Sequence, residues 1–476
     1  SGQAVTLDDS SNDFGTAAIT GANVAVTDTN AIILGASTVS GTYAVTATSG
    51  GGITDSGVLA ITNGATFKVA GGQSITLDQS STFSSTVTFT PLSGTITNVT
   101  INDSNAFDLK ALTTTGDLTV TAGGAVTDSG TLVIPGTATI SASGQAVTLD
   151  DSSNDFGTAA ITGANVAVTD TNAIILGAST VTGTYDVTAG GAITDSGTQE
   201  ITGVTTIAAG SGNDITLDTS TNNFAAAVVI TSGNNVAITD EDAIVLGAST
   251  VSGTYGITAA GAVTDTGALA ITGVTTIAAG SGNNITLDHT SNNFQAAVQI
   301  TSGNNVTLVD AGAIDLGAST VSGTYAVTAT SGGDITDSGV LAITNGATFT
   351  VAGGQSILLD QSSTFSSTVT FAAASGNLKN VTITDTTALD LAALTLAKVA
   401  GAGGDLTVTA GGAVTDSGTL VIPGTATISA SSQDVTLDTE TNNFAGEVRI
   451  TGAVVTVVDE DAIVLGASTV SGTYGI

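Results

Sequence analysis

The chain has 476 residues, 61 of them Gly and only 3 Pro, and a hydrophobic content of 41% supplies a large core. Asp and Glu number 40 against 5 Lys and Arg, a formal charge of −35, which excludes nucleic acid and anionic lipid as partners, since Lys and Arg hold both. With no Cys and no Met there is no disulfide, thiol catalysis or soft-metal ligation, and no run of about 18 apolar residues reads as a membrane span.

In chain order the first phrase is "AVTLDDSSNDF", ending at Phe14. "NVAVTD" follows and closes at Asp28, then "GASTVSGTY" from Gly35 to Tyr43, "GITDSG" around Asp55, and "ITLD" again at Asp78. Val, Ile and Thr alternate with small polar residues at period two, which is strand chemistry, while Gly, Asn, Asp and Ser fill the corners. No segment has helical periodicity. "GASTVSGTY" returns at Gly247, Gly317 and Gly466, with "GASTVTGTY" at Gly177, and residues 1–39 are identical to 143–181, an offset of 142. The spacing predicts units of about 70 residues with three coils each. An Asp closes each phrase, and counting those Asp residues gives about 20 coils of roughly 23 residues. One continuous parallel β-solenoid over residues 1–476 is expected, a rod of about 95 Å at the usual strand spacing. Residue 1 opens in mid-repeat and the last six residues copy Ser252–Ile257, so the chain reads as a window of a longer one.

The aromatic residues fall at fixed places. Phe14, Phe156, Phe224, Phe294 and Phe444 lie six residues after a "TLD" Asp, and Phe83 and Phe365 five after theirs. All five Tyr (Tyr43, Tyr185, Tyr255, Tyr325 and Tyr474) end a copy of "GASTVSGTY" or "GASTVTGTY", and Leu118 and Leu406 replace Tyr where the motif is absent. A place that accepts Leu for Tyr is a packing place. These aromatic residues are the expected core anchors.

No catalytic constellation emerges. His289, the sole His, stands where a sister unit has Thr219, and Lys68, Lys110, Lys379, Lys398 and Arg449 are scattered. Carboxylate pairs such as Asp8 with Asp9 and Asp150 with Asp151 recur, whereas a glycosidase needs one pair in a cleft. Repetition marks them as solvated corners. No catalytic residue or cofactor is expected beyond weakly bound Ca²⁺, strongest at the two "DED" segments, Asp240, Glu241 and Asp242, and Asp459, Glu460 and Asp461, where oxygen ligands cluster. "GSGNDITLD" from Gly210 has no tandem nine-residue period and is not a calcium nonapeptide repeat.

Phrases such as "NVAVTDTNAIILGASTVSGTYAVTA" (residues 23–47) and "GGAVTDSGTLVI" (residues 123–134) resemble the repeat regions of filamentous-haemagglutinin-like giant exoproteins of bacteria. The likeness covers essentially the whole chain and carries no functional residue with it. It implies a right-handed parallel β-helix, export to the cell surface, and a role in a long adhesive fibre. The expected function is a non-catalytic shaft of an extracellular filament or adhesin that associates with itself end to end or laterally, with a host surface, neighbouring cell or polysaccharide as further partner. The alternative is a carbohydrate-binding or polysaccharide-active β-helix.

Overall fold

The computed structural model describes residues 2–476. Among them there is no helix, so none long and apolar enough to cross a membrane. Parallel strands stack as a β-solenoid of about 22 turns with about 21 residues per turn. By their internal contacts the residues form two units, Ser1–Asn234 and Asn235–Ile476.

Each turn has two kinds of side. One is a single strand of about five residues, such as Val24–Asp28, whose first, third and fifth side chains are buried, as the two-residue period of a strand requires. The other is a pair of three-residue strands meeting at a corner, such as Ile32–Leu34 and Ser37–Val39. The corner is kept small for a stacking reason. A Cβ on Gly57 in "TDSG" would lie 2.4 Å from the backbone nitrogen of Ala36, one turn below, and Gly130 and Gly197 stand in the same relation to Ala111 and Ala178.

In the first unit the long strands Val24–Asp28, Tyr43–Ala47, Ala65–Val69 and Val87–Pro91 stack in register, with Val24, Tyr43, Ala65 and Val87 in one inward column. The next strand, Val99–Asp103, is again long, but it stacks on the paired strand side, Val99 over Ile75. Long and paired sides have exchanged. They exchange again at Val166–Asp170, which stacks on Val147–Leu149, while Ile174–Leu176 and Ser179–Val181 stack on the long part of Asp155–Gly163. The second unit does the same. Val306–Asp310 stacks on Ile285–Leu287, Val381–Asp385 on Ile357–Phe365, and Val455–Val457 on Val435–Leu437.

Between exchanges lie four long strands and three pairs, seven half-turns. One repeat of about 70 residues is therefore three and a half turns, not three, and its copies alternate between the two sides. Only two repeats together restore a side, and the identical residues 1–39 and 143–181 lie two repeats apart. The turn is shorter than the roughly 23 residues expected because the counted Asp residues belong to two different corners. Asp28 ends a long strand whereas Asp55 ends the first strand of a pair, so their spacing does not measure a turn.

Candidate functional site

The chemistry of the chain is concentrated at these corners. The first long strand of each repeat ends in Asp, and Asp28, Asp103, Asp170, Asp240, Asp310 and Asp385 are buried; the picture of solvated acids holds for Asp8 and Asp9, which are exposed, and fails for Asp240. The reason is a backbone N–H that has no ladder partner at the exchange of sides. Phe156 N donates to Asp170 Oδ2 at 2.6 Å and Asn172 N to Oδ1 at 2.8 Å. Phe14 and Asn30 serve Asp28 in the same way, and Phe294 and Gly312 serve Asp310. Burial pushes the carboxyls of Asp103, Asp170, Asp310 and Asp385 above the usual range against the opposing pull of these bonds. Asp170→Ala is expected to strand both N–H groups and cost about 1–3 kcal/mol of local stability. Hydrogen exchange at Phe156 and Asn172 is the measurement.

A second class of acid sits in "TDSG", or "TDTG" at Asp265. Asp128 Oδ1 accepts the N–H of Asp150 one turn on at 3.1 Å, and its Oδ2 accepts the amide of Asn154 at 2.6 Å. Asn222, Asn292 and Asn442 hold Asp195, Asp265 and Asp416 at the same 2.6 Å. In two repeats Ser81 and Ser363 replace that Asn. Both still accept a backbone N–H, from Leu59 and Leu341 at 3.0 Å, but neither brings an amide to the carboxylate. Asp55 Oδ2 is buried without a partner. Burial pushes the Asp55 carboxyl up to about 6, opposed by the N–H groups of Gln79 and Asp78 and assisted by the Asp78 charge. Asp337 is likewise pushed to about 6 by burial, against the N–H groups of Asp360 and Gln361 and with the charges of Asp360 and Asp315 adding to it. The Asn two residues before Phe was visible in "SNDF" and "TNNF" as a corner filler, and its bridging role was not.

The motif "GASTVSGTY" has a role in stacking. Ser37 is inward, accepts Ile19 N at 3.0 Å from the turn below and donates to Gly35 O at 2.8 Å. The fully buried Tyr43 hydroxyl lies beside Ser37 without the alignment of a hydrogen bond, and burial pushes its phenol up to about 12. Ser179 with Tyr185 and Ser319 with Tyr325 repeat the arrangement. Where Tyr becomes Leu118 or Leu406, the Ser position is Leu112 or Leu394, and all four are buried. Polar and apolar pairs are exchanged as pairs.

Among the other anchors, Phe156, Phe224, Phe294, Phe444 and Tyr255 are buried, while Phe14 and Tyr474, in the first and last turns, are half-buried. The "DED" segments do not converge. Asp240 is turned inward and accepts the N–H of Asp242 at 2.8 Å, whereas Glu241 and Asp242 are exposed. Asp459 accepts Asp461 N, and Glu460 and Asp461 share the amide of Asn443. Among the described residues no group of three or more His, Asp or Glu is arranged to hold a metal ion. His289 caps its own corner, its Nδ1 accepting Ser291 N at 3.2 Å.

The first unit has one interruption. Residues 92–98 separate Val87–Pro91 from Val99–Asp103, where only residues 164–165 separate the corresponding strands of the next repeat. Val87–Pro91 is the last strand of its sheet. A cleft of about 480 Å³ opens there, lined by Ser84, Ser85, Thr86, Asn105, Phe107 and Asp108. The second unit has a counterpart of about 300 Å³ with Ser366, Ser367, Thr368 and Asp390. Asp108 is bridged by Lys110 at 2.6 Å.

Recurring acids that serve backbone amides, on turns that repeat by half-turns, define a β-solenoid repeat protein. Six successive stretches, residues 21–90, 97–162, 163–231, 233–301, 303–372 and 378–451, match the family described as repeats of unknown function (DUF5649), and the chain belongs to that family. Each stretch opens just ahead of a first long strand and closes within the fourth, so the family repeat is the seven-half-turn unit. No curated protein and no solved structure matches the chain.

Proposed function

We propose that the chain is the non-catalytic shaft of an extracellular, cell-surface filament or adhesin. The observation that carries this reading is that the residues which recur, the buried Asp, the bridging Asn, the inward Ser and Tyr and the corner Gly, are spent on stacking one turn upon the next. A shaft needs stacking and little else. The resemblance of the repeat phrases to filamentous-haemagglutinin-like exoproteins supports a bacterial surface location, and the charge of −35 suits a solvated exterior. Shafts of this kind associate end to end or laterally through strand edges, and they hold a distal partner, such as a host surface, a neighbouring cell or a polysaccharide, away from the cell.

Two experiments test the reading. Deleting residues 247–316, one repeat bounded by two copies of "GASTVSGTY", is expected to leave a folded protein whose maximum dimension in solution scattering falls by about 17 Å, three and a half turns at about 4.8 Å each. Unfolding of the whole chain, or an unchanged dimension, would speak against a shaft. Antibody against the chain is expected to label the intact cells that produce it, and labelling only after permeabilisation would remove the surface assignment. The clefts at Ser84–Asp108 and Ser366–Asp390 favour a second reading, binding of neutral oligosaccharide, for which a glycan array with and without Asp390→Ala is the test.

A further inference from the structure

Two of the six repeats differ from the others at one buried spot, and the difference is chemical. Asp55 and Asp337 stand where Asp128, Asp195, Asp265 and Asp416 stand, but Ser81 and Ser363 replace the Asn whose amide meets the other four at 2.6 Å. The groups facing Asp55 from the next turn are the Asp78 and Gln79 N–H, with the Asp78 carboxylate nearby, and below it lies Leu34. Facing Asp337 are the N–H of Asp360 on Oδ1 and the N–H of Gln361, 3.4 Å from both oxygens, with the carboxylates of Asp360 above and Asp315 below. No cation is among these neighbours. Each of the two units contains one such spot.

We propose that Asp55 and Asp337 are proton-responsive clasps between successive turns, tightened when the carboxyl is protonated and loosened when it is ionised. The ionised form places a second negative charge beside Asp78 or Asp360, leaves Asp55 Oδ2 without a donor and gives Asp337 Oδ2 only the distant Gln361 N–H in place of an Asn amide, all unfavourable in a partly desolvated corner. The neutral form removes the repulsion and the desolvation cost. The folded state thus binds this proton more tightly than the unfolded chain, so the stabilising contribution is fully present below about pH 4 and is lost as pH rises through about 6. The other four corners keep the short Asn amide bond to the carboxylate. A shaft built this way is stiffer at two defined places in a mildly acidic setting than in a neutral one.

The test is hydrogen exchange on the full chain at pH 4.5 and pH 7.5, expressed as protection factors. Residues 75–83 and 357–365 are expected to be about tenfold better protected at the lower pH, a factor that keeps one pKa unit of the shift after solvent screening. Ser81→Asn copies the Asn154 arrangement, which stands the same 26 residues after its Asp. It is expected to abolish the pH difference at residues 75–83 and to leave that at 357–365 intact. The second segment thereby reports that the variant is folded. Asp55→Asn is expected to flatten the first segment as well. A wild-type chain without the difference, or a Ser81→Asn chain that keeps it at residues 75–83, overturns the proposal.

Discussion

Phe349→Ala is expected to open the core of one repeat without unfolding the remainder of its unit. Phe349 is fully buried. Its ring meets Tyr325 and Phe365 edge-on and stacks on Phe371, each at a centroid distance of 6.1 Å. Removing it takes away a large apolar surface and leaves three rings around a cavity, at a cost of about 3–5 kcal/mol. In a solenoid each turn touches only its neighbours, so the cost falls on those turns and not on a global transition. Exchange protection is expected to collapse in Tyr325–Ala329, Ala347–Val351 and Val369–Ala373 and to persist in Ala426–Ser429. A uniform loss across the second unit would mean that its turns unfold as one cooperative block.

The second large effect concerns the inward Ser and Tyr of the repeated motif. Tyr325→Leu removes a buried ring, and Ser319→Leu takes the acceptor from Ile300 N, 3.2 Å away, and crowds the Tyr. The unsatisfied N–H costs about 1–3 kcal/mol and the crowding a further 1–3 or so. The double variant recreates the pairing found naturally at Leu112 with Leu118 and at Leu394 with Leu406. It is expected to be about 1–2 kcal/mol more stable than the two single losses predict, because the crowding disappears once the Tyr is gone. Purely additive losses in urea unfolding would show that the two positions do not share one packing site.

Much of this architecture is legible in the residues. Strand chemistry is local: β-branched side chains at period two, broken by Gly and Asn, specify strands and corners whatever happens elsewhere in the chain, and their recurrence at a short period points to a solenoid. The repeat of about 70 residues and the burial of Phe156 and Tyr185 follow from that pattern, since an inward column accepts the same apolar residue on every visit. Charge was misread because an Asp in a polar phrase looks solvated. Asp28 and Asp170 instead follow the strand alternation inward, where a Phe N–H from another turn awaits an acceptor, and that N–H lies 14 residues away in sequence.

What the sequence by itself determined, then, was the strand, the corner and the period of the unit, all set by neighbours along the chain. The tertiary structure decided how many residues close a turn, and hence that the repeat spans three and a half turns and alternates sides. It also decided which acids are buried, and where Ser81, the counterpart of Asn154, leaves one oxygen of the Asp55 carboxyl without a donor. These depend on which corner rests on which, a matter of hydrogen bonds between turns some twenty residues apart, and no local pattern carries that register.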